Sequence, residues 1–260
     1  NRMFGMRASQ TLKAAQALYE RHKLISYPRT DSRHLSSEVA GTLGPVVKAI
    51  AGRYPDLVAP GSGTRPLGKR FVDDSKVSDH HAIIPLASRK KGPDGETPEG
   101  KIYDLICRRL LAAWHEDHRF ATTTAIVEVH QPPAGGRVDV DDATKSDAEP
   151  VDHYRATGKT VTEVGWKVLD RISTRKTKAK AKPEQNPEQN LVANLRQGSP
   201  QTLVDIKPEN KTTRPPPPLN EATLLTAMET AGRTLEDREL SDAMRERGLG
   251  TPATRAAIIE

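Results

Sequence analysis

A single cysteine, Cys107, stands among 260 residues, which excludes a disulfide framework and any cysteine-based zinc module. Aromatic residues are scarce, at 4% of the chain. Base stacking can therefore contribute little to any nucleic-acid contact, and such binding would run through backbone phosphates. No run of 18 or more apolar residues occurs, so no membrane-spanning helix is encoded. No charged-then-apolar leader can be read, and secretion is not expected. The chain starts at Asn1 without Met and stops at Glu260 inside a run that reads as helix, so a piece of a longer protein is expected.

Charge is plentiful. Forty Lys and Arg face 34 Asp and Glu, for a formal net charge of +6. A basic balance suits phosphates, which release counterions when Lys and Arg approach. It equally describes an ordinary lysine-rich surface, so charge leaves that choice open. The length accommodates one or two domains of roughly 100–200 residues each.

Helical spacing of Leu12, Ala15, Leu18 and Tyr19 predicts a helix over 9–22, with Ser9 as cap and Arg21, His22 and Lys23 at its C-terminal end. Ile25–Arg29 is then extended, because Pro28 disfavours helix in the residue before it. A second helix is expected over Glu38–Arg53 and a third over Lys101–Trp114, with Pro- and Gly-rich loops at 55–75 and 88–100. From Phe120 the character changes. Ala121–His130 and Tyr154–Leu169 read as antiparallel strands, separated by a long acidic loop over Gln131–Pro150. Arg171–Asn190 is a basic, low-complexity linker, in which the 171–182 run is a solvated stretch or a transient phosphate-binding arm. Pro215–Pro218 is a stiff hinge. Helices follow at Glu221–Ala231, capped by Asn220, at Asp237–Arg247, and from Pro252 onward.

Three segments imitate sites. Gly63-Thr-Arg-Pro-Leu-Gly68-Lys69 nearly spells a P-loop, but Arg70 stands where Ser or Thr would hold magnesium and no apolar strand leads in. His115 and His118 lack the spacing that sets two metal ligands one helical turn apart. Asp73, Asp74 and Asp79 have no second acidic cluster to complete a cage, and read as surface carboxylates.

Chemistry concentrates in Tyr27-Pro28-Arg29-Thr30-Asp31-Ser32. In an extended segment residues i and i+2 share a face, so Tyr27 and Arg29 point the same way. A guanidinium beside a phenol can stabilise the phenolate and grip a phosphate oxygen with two hydrogen bonds. The plainer reading is a packed strand tyrosine beside a solvated arginine. Ser78-Asp79-His80-His81-Ala82-Ile83-Ile84-Pro85 adds histidines able to donate to a phosphate. Gly248-Leu-Gly250-Thr251-Pro252-Ala253-Thr254-Arg255 leads into a helix whose first amides could accept phosphate oxygens.

Gln16-Ala-Leu18-Tyr19-Glu20 followed by Leu24–Ser32 resembles the active-site signature of type IA DNA topoisomerases. Ser78–Pro85, and Pro215–Arg233 with Gly248–Glu260, resemble later blocks of that family in the same order, and the wording of the first two is most similar to its topoisomerase III branch. The resemblance is weakest over 131–150 and 171–210.

This resemblance implies an α+β multidomain fold, part of a gated toroid. It assigns 1–113 to a helical tyrosine-bearing catalytic domain, 114–213 to an antiparallel β-rich arch segment containing the 171–190 linker, and 214–260 to a truncated helical DNA-binding base segment. It implies an ATP-independent isomerase that cleaves, passes and reseals single-stranded DNA, relaxing or decatenating it. Tyr27 would be the nucleophile that forms a 5′-phosphotyrosine bond. Arg29 would hold the scissile phosphate and His80 contact the reacting phosphate. Thr30, Asp31, His81, Thr254 and Arg255 would bind DNA. Magnesium is expected, with its ligands in a toprim domain upstream of Asn1 and none on this chain. Single-stranded DNA is the expected partner, and a cytoplasmic location on nucleoid or plasmid DNA is expected if the source is prokaryotic. The alternative is an inactive fragment that grips single strands without cutting them. A tyrosine recombinase is discounted, because its tyrosine would lie near the chain end and Tyr27 lies near the start.

Overall fold

The computed structural model describes residues 3–130, 151–170, 197–198, 200, 202, 205, 207–234, 239, 241 and 248–259. The chain divides into two compact units, one comprising Asn1–Asp117, Gly165–Lys178 and Thr213–Glu260, the other His118–Val164 and Ala179–Thr212.

The first unit is helical and carries the main core. Helix α1 spans Ala8–Glu20 and buries Ala14, Ala15 and Leu18 against α4, Pro98–Ala112. Ser9 is not its cap. The helix begins one residue earlier, where the Gln10 side chain accepts the Arg7 N–H at 3.0 Å and Glu221 Oε2 accepts the Ala8 N–H at 2.6 Å. Helix α4 likewise starts before its expected Lys101. Thr97 caps it by accepting the Gly100 N–H, and Pro98 occupies the first turn, where its missing N–H costs nothing. The single helix expected over 38–53 is two, α2 at Ser37–Gly41 and α3 at Leu43–Ala51. Pro45 explains the break: in a continuous helix its ring would collide with the Gly41 carbonyl, and it has no N–H to offer.

Leu24, Ile25, Leu43, Val47, Ile50, Leu111 and Trp114 join these helices in one apolar cluster. The P-loop-like stretch wraps Trp114, whose Nε1 donates to Arg65 O at 2.8 Å, while Arg65 Nη2 donates back to the Trp114 carbonyl. One buried carboxylate sits in this core. Asp104 accepts from the Tyr54 hydroxyl at 2.8 Å and from Arg108 Nε at 3.0 Å. Burial pushes the Tyr54 and Tyr103 hydroxyls well above their ordinary range, and pushes the Cys107 thiol from 9.0 to about 12.

Both histidines and two of the three aspartates that imitate metal sites, Asp73 and Asp74, have structural partners. His115 lies 3.1 Å from the Leu57 carbonyl, and His118 of the second unit lies 3.0 Å from the Val164 carbonyl. Asp73 accepts the hydroxyl and the N–H of Ser75, and Asp74 accepts both the hydroxyl and the N–H of Ser37. These hydrogen bonds hold both carboxyls below their usual range.

The second unit contains an antiparallel hairpin, β1 at Arg119–His130 and β2 at Val151–Glu163, paired from Arg119↔Glu163 to His130↔Val151. Its expected extension to Leu169 does not occur. Gly165 takes φ +52° and opens a 3₁₀ turn over Gly165–Leu169 in the first unit. The carbonyls of Glu116 and Asp117 stand where its Cβ would be, so any other residue would clash. Trp166 N–H then donates to Glu116 O at 2.9 Å, and Leu169 is buried.

After an exposed stretch without regular structure that includes Pro215–Pro218, α5 runs over Glu221–Glu229. Asn220 caps it by accepting the Thr223 N–H at 3.0 Å. The last helix, α6, is Arg255–Ile259 rather than starting at Pro252. The expectations for 131–150 and 171–190, and most of that for 237–247, fall outside the described residues. Among the described residues, no helix is long and apolar enough to cross a membrane.

Candidate active site

The tyrosine segment is positioned by the way α1 ends. Lys23 adopts φ +55°, the left-handed conformation usual for a helix-terminating glycine, and the Leu24 N–H returns to Leu18 O at 2.9 Å. The chain turns back, buries Leu24 and Ile25, and pairs with residues 84–86 in a short antiparallel ladder. Leu86 N–H donates to Leu24 O, Ser26 N–H donates to Ile84 O, and Ser26 Oγ accepts the Ile84 N–H. The ladder stops at Ser26, so Tyr27 emerges half-buried from a fixed base.

The same two segments meet again beyond Tyr27. Thr30 Oγ1 donates to the His80 carbonyl at 3.0 Å, and Ala82 N–H donates to His34 O at 2.8 Å. His80 is thereby tethered beside Tyr27, with ring centroids 4.4 Å apart and planes at 44°. On its other side Tyr27 meets Tyr19 of α1 edge-on, at 5.4 Å and 80°. Lys23 Nζ lies 5.5 Å from the centroid of the Tyr19 ring. The Tyr27 hydroxyl forms no hydrogen bond among the described residues, and is left available.

Arg29 is exposed and also returns to α1. With the Gln16 amide oriented oxygen-first, that oxygen accepts from Arg29 Nε at 3.2 Å and from Nη2. Gln16 and Tyr19 are three residues apart, hence on one helix face, so Tyr27 and Arg29 reach the same side of α1. A phenol and an imidazole are thus in contact, with a guanidinium on the same side of α1. They can supply a nucleophile, a two-pronged anion grip and a proton donor.

The remaining sequence candidates are more scattered. Asp31 is exposed next to the cluster. His81 Nδ1 lies 2.7 Å from the Ala82 carbonyl; a carbonyl only accepts, so that nitrogen carries hydrogen. Thr254 and Arg255 lie in the turn entering α6 and serve that turn. Thr254 Oγ1 accepts the Thr251 N–H at 2.9 Å, while Arg255 donates from Nε to Leu249 O and from Nη2 to Gly250 O. Two neighbours were not assigned a role from sequence. Tyr19 reads there as an apolar helix position, and Gln16 as part of a motif. Their three-residue spacing on α1 was the available signal.

A family profile described as DNA topoisomerase matches residues 1–260, and the chain belongs to that family. It is topoisomerase III-like, as the motifs suggest. DNA topoisomerase 3 of Bacillus thuringiensis (strain Al Hakam) is 36% identical over 266 residues, covering 100% of this chain and 33% of that protein. DNA topoisomerase 3 of Bacillus subtilis (strain 168) is 35% identical over 268 residues with the same coverage. The chain spans about a third of the length of these curated relatives.

Proposed function

We propose that this chain is the tyrosine-bearing part of a type IA topoisomerase and that Tyr27 cuts single-stranded DNA by transesterification. The observation that carries the reading is the Tyr27 ring held between Tyr19 and His80, with its hydroxyl unengaged among the described residues and Arg29 on the same side of α1. The phenol oxygen attacks a backbone phosphorus, forming a P–O bond to Tyr27 and breaking the P–O3′ bond. The phenolic proton ends on the departing 3′ oxygen, passed by His80. Arg29 binds the non-bridging oxygens, on which charge grows in the transition state. Reversal reseals the strand after another has passed, and the stored ester needs no ATP. Thr30, Asp31, His81, Thr254 and Arg255 extend the DNA contact. In this reading 1–113, 114–213 and 214–260 form the catalytic, arch and base segments of a toroid, in a protein acting on cytoplasmic nucleoid or plasmid DNA.

The ligands of the expected magnesium would lie off this chain. Among the described residues no group of three or more His, Cys, Asp or Glu could hold an ion. Any metal ligands would come from elsewhere, and no step above uses them. The second reading is a fragment that binds single strands through phosphates without cutting.

The two readings separate in one experiment. A labelled single-stranded oligonucleotide is incubated with the chain and magnesium, and with a version extended upstream of Asn1, each also as Tyr27→Phe. Label retained on denatured protein and lost in the variant is expected. Salt-sensitive binding without an adduct in either form would sink the enzyme reading.

A further inference from the structure

Beyond the Tyr27 cluster the same chain segment builds a second feature. Past the ladder at Ile84–Leu86, residues 87–95 and the end of α3 line a cleft of about 1310 Å³. Five cations line it, Lys48, Arg53, Arg89, Lys90 and Lys91, against one acid, Asp94. All five are exposed, and among the described residues none forms an ion pair. Asp94 is committed elsewhere, its Oδ1 accepting the Glu96 N–H at 2.9 Å.

The cleft has a fixed wall. Arg53 Nη2 donates to the Pro93 carbonyl at 3.4 Å, and its guanidinium lies 5.6 Å from the Tyr103 ring centroid. Gly92 presses onto both: a Cβ there would meet Arg53 Nη1 at 2.6 Å and Tyr103 Cε1 at 2.7 Å. Glycine is what lets the loop backbone lie this close. The loop therefore carries Arg89, Lys90 and Lys91 on a segment docked at its far end.

We infer that this cleft is a second phosphate-binding site, one that holds the backbone of a single-stranded nucleic acid away from Tyr27. Five like charges in one concavity repel one another and are relieved by an anion. The cleft is open and its charges are spread along the loop and α3, which suits successive phosphates of a polymer better than one small ion. Tyr103 is buried, so bases would find no stacking platform there, and binding would be electrostatic. From His80 to Ala87 the chain covers seven residues, at most roughly 23 Å when extended. A strand crossing the Tyr27 cluster could continue into the cleft.

The inference rests on the proposed nucleic-acid substrate but not on Tyr27 as nucleophile, so the two fail separately. Anisotropy of a labelled oligothymidylate of about 20 nucleotides, longer than the ~4–16 of one single-strand site, is followed against rising salt. The full chain is compared with Lys90→Gln/Lys91→Gln and with a charge-matched hairpin variant, Arg155→Gln/Lys159→Gln. The cleft variant is expected to bind more weakly, with a salt slope reduced by about 1.4, or 0.7 for each lost single-strand phosphate contact. An equal loss in the hairpin variant would mean diffuse charge and overturn the site. Acetylation of Lys90 and Lys91 in the unmutated chain, read by mass spectrometry, locates the contact directly. Protection by the oligonucleotide and not by inorganic phosphate at equal phosphate concentration is expected. Equal protection by inorganic phosphate, or protection by neither, overturns it. Protection without any Tyr27 adduct would leave the cleft standing and remove the nucleophile.

Discussion

At the residue scale, Tyr27 is fixed by its neighbours rather than by a bond to its own hydroxyl. Tyr27→Phe is therefore expected to shift stability by less than about 0.5 kcal/mol while abolishing any adduct, and urea unfolding checks the first half. His80→Ala is expected to slow adduct formation about 10²-fold or more if it carries the proton, with the loss reduced when the leaving oxygen is made a better leaving group. Arg29→Lys keeps the charge but loses the fork, and should weaken transition-state binding more than ground-state DNA affinity. A single-turnover rate beside a binding curve separates the two. The candidates Tyr27, Arg29 and His80 were legible because their motifs name them. Tyr19 and Gln16 were not, because their roles exist only once α1 and the 24–30 segment lie side by side. Nor could the sequence reveal that Arg255 spends its donors on Leu249 and Gly250.

At the scale of elements, boundaries moved where a single residue's stereochemistry outweighed the hydrophobic pattern. Apolar spacing runs unbroken across 38–53, yet Pro45 splits the helix. Apolar alternation continues to 169, yet Gly165 ends the strand. The asparagine cap of α5 was read correctly because capping is local. Gly248 is a further case in which the backbone decides. It holds φ +60°, and a Cβ would lie 2.5 Å from Met228 O and 2.7 Å from Glu229 O. This close approach docks the turn before α6 on the end of α5, where Leu249 N–H donates to Met228 O at 2.7 Å. Gly248→Ala combines a left-handed alanine with that collision and should cost about 2 kcal/mol locally. Faster hydrogen exchange at 249–258, with the amides of α4 unchanged, is the expected readout.

At the scale of the whole molecule, the buried Cys107, Tyr54 and Tyr103 set an alkaline limit. Each holds its proton more tightly folded than unfolded. Stability is then unaffected below pH 9, and falls as pH rises from 9 toward about 12, where Cys107 titrates in the fold. The loss is about 1.4 kcal/mol per pH unit for each group released. Unfolding midpoints measured from pH 7 to 10.5 should be level and then decline, with the first part of the decline absent in Cys107→Ala. Fold class was readable at this scale, helices followed by a β hairpin, since period and composition switch at Phe120. The division into units was less so, because the first is assembled from three separated stretches of chain. That assembly has a practical corollary. The chain leaves the helical unit at Asp117 and returns at Gly165, whose missing Cβ would sit 2.6 Å from the Asp117 carbonyl carbon. Exit and re-entry touch, so the seam itself can be closed: residues 118–164 could be excised and Asp117 spliced to Gly165 through a one- or two-residue turn. The shortened protein is expected to melt within a few degrees of the parent, offering a scaffold on which other hairpins could be grafted at the same seam.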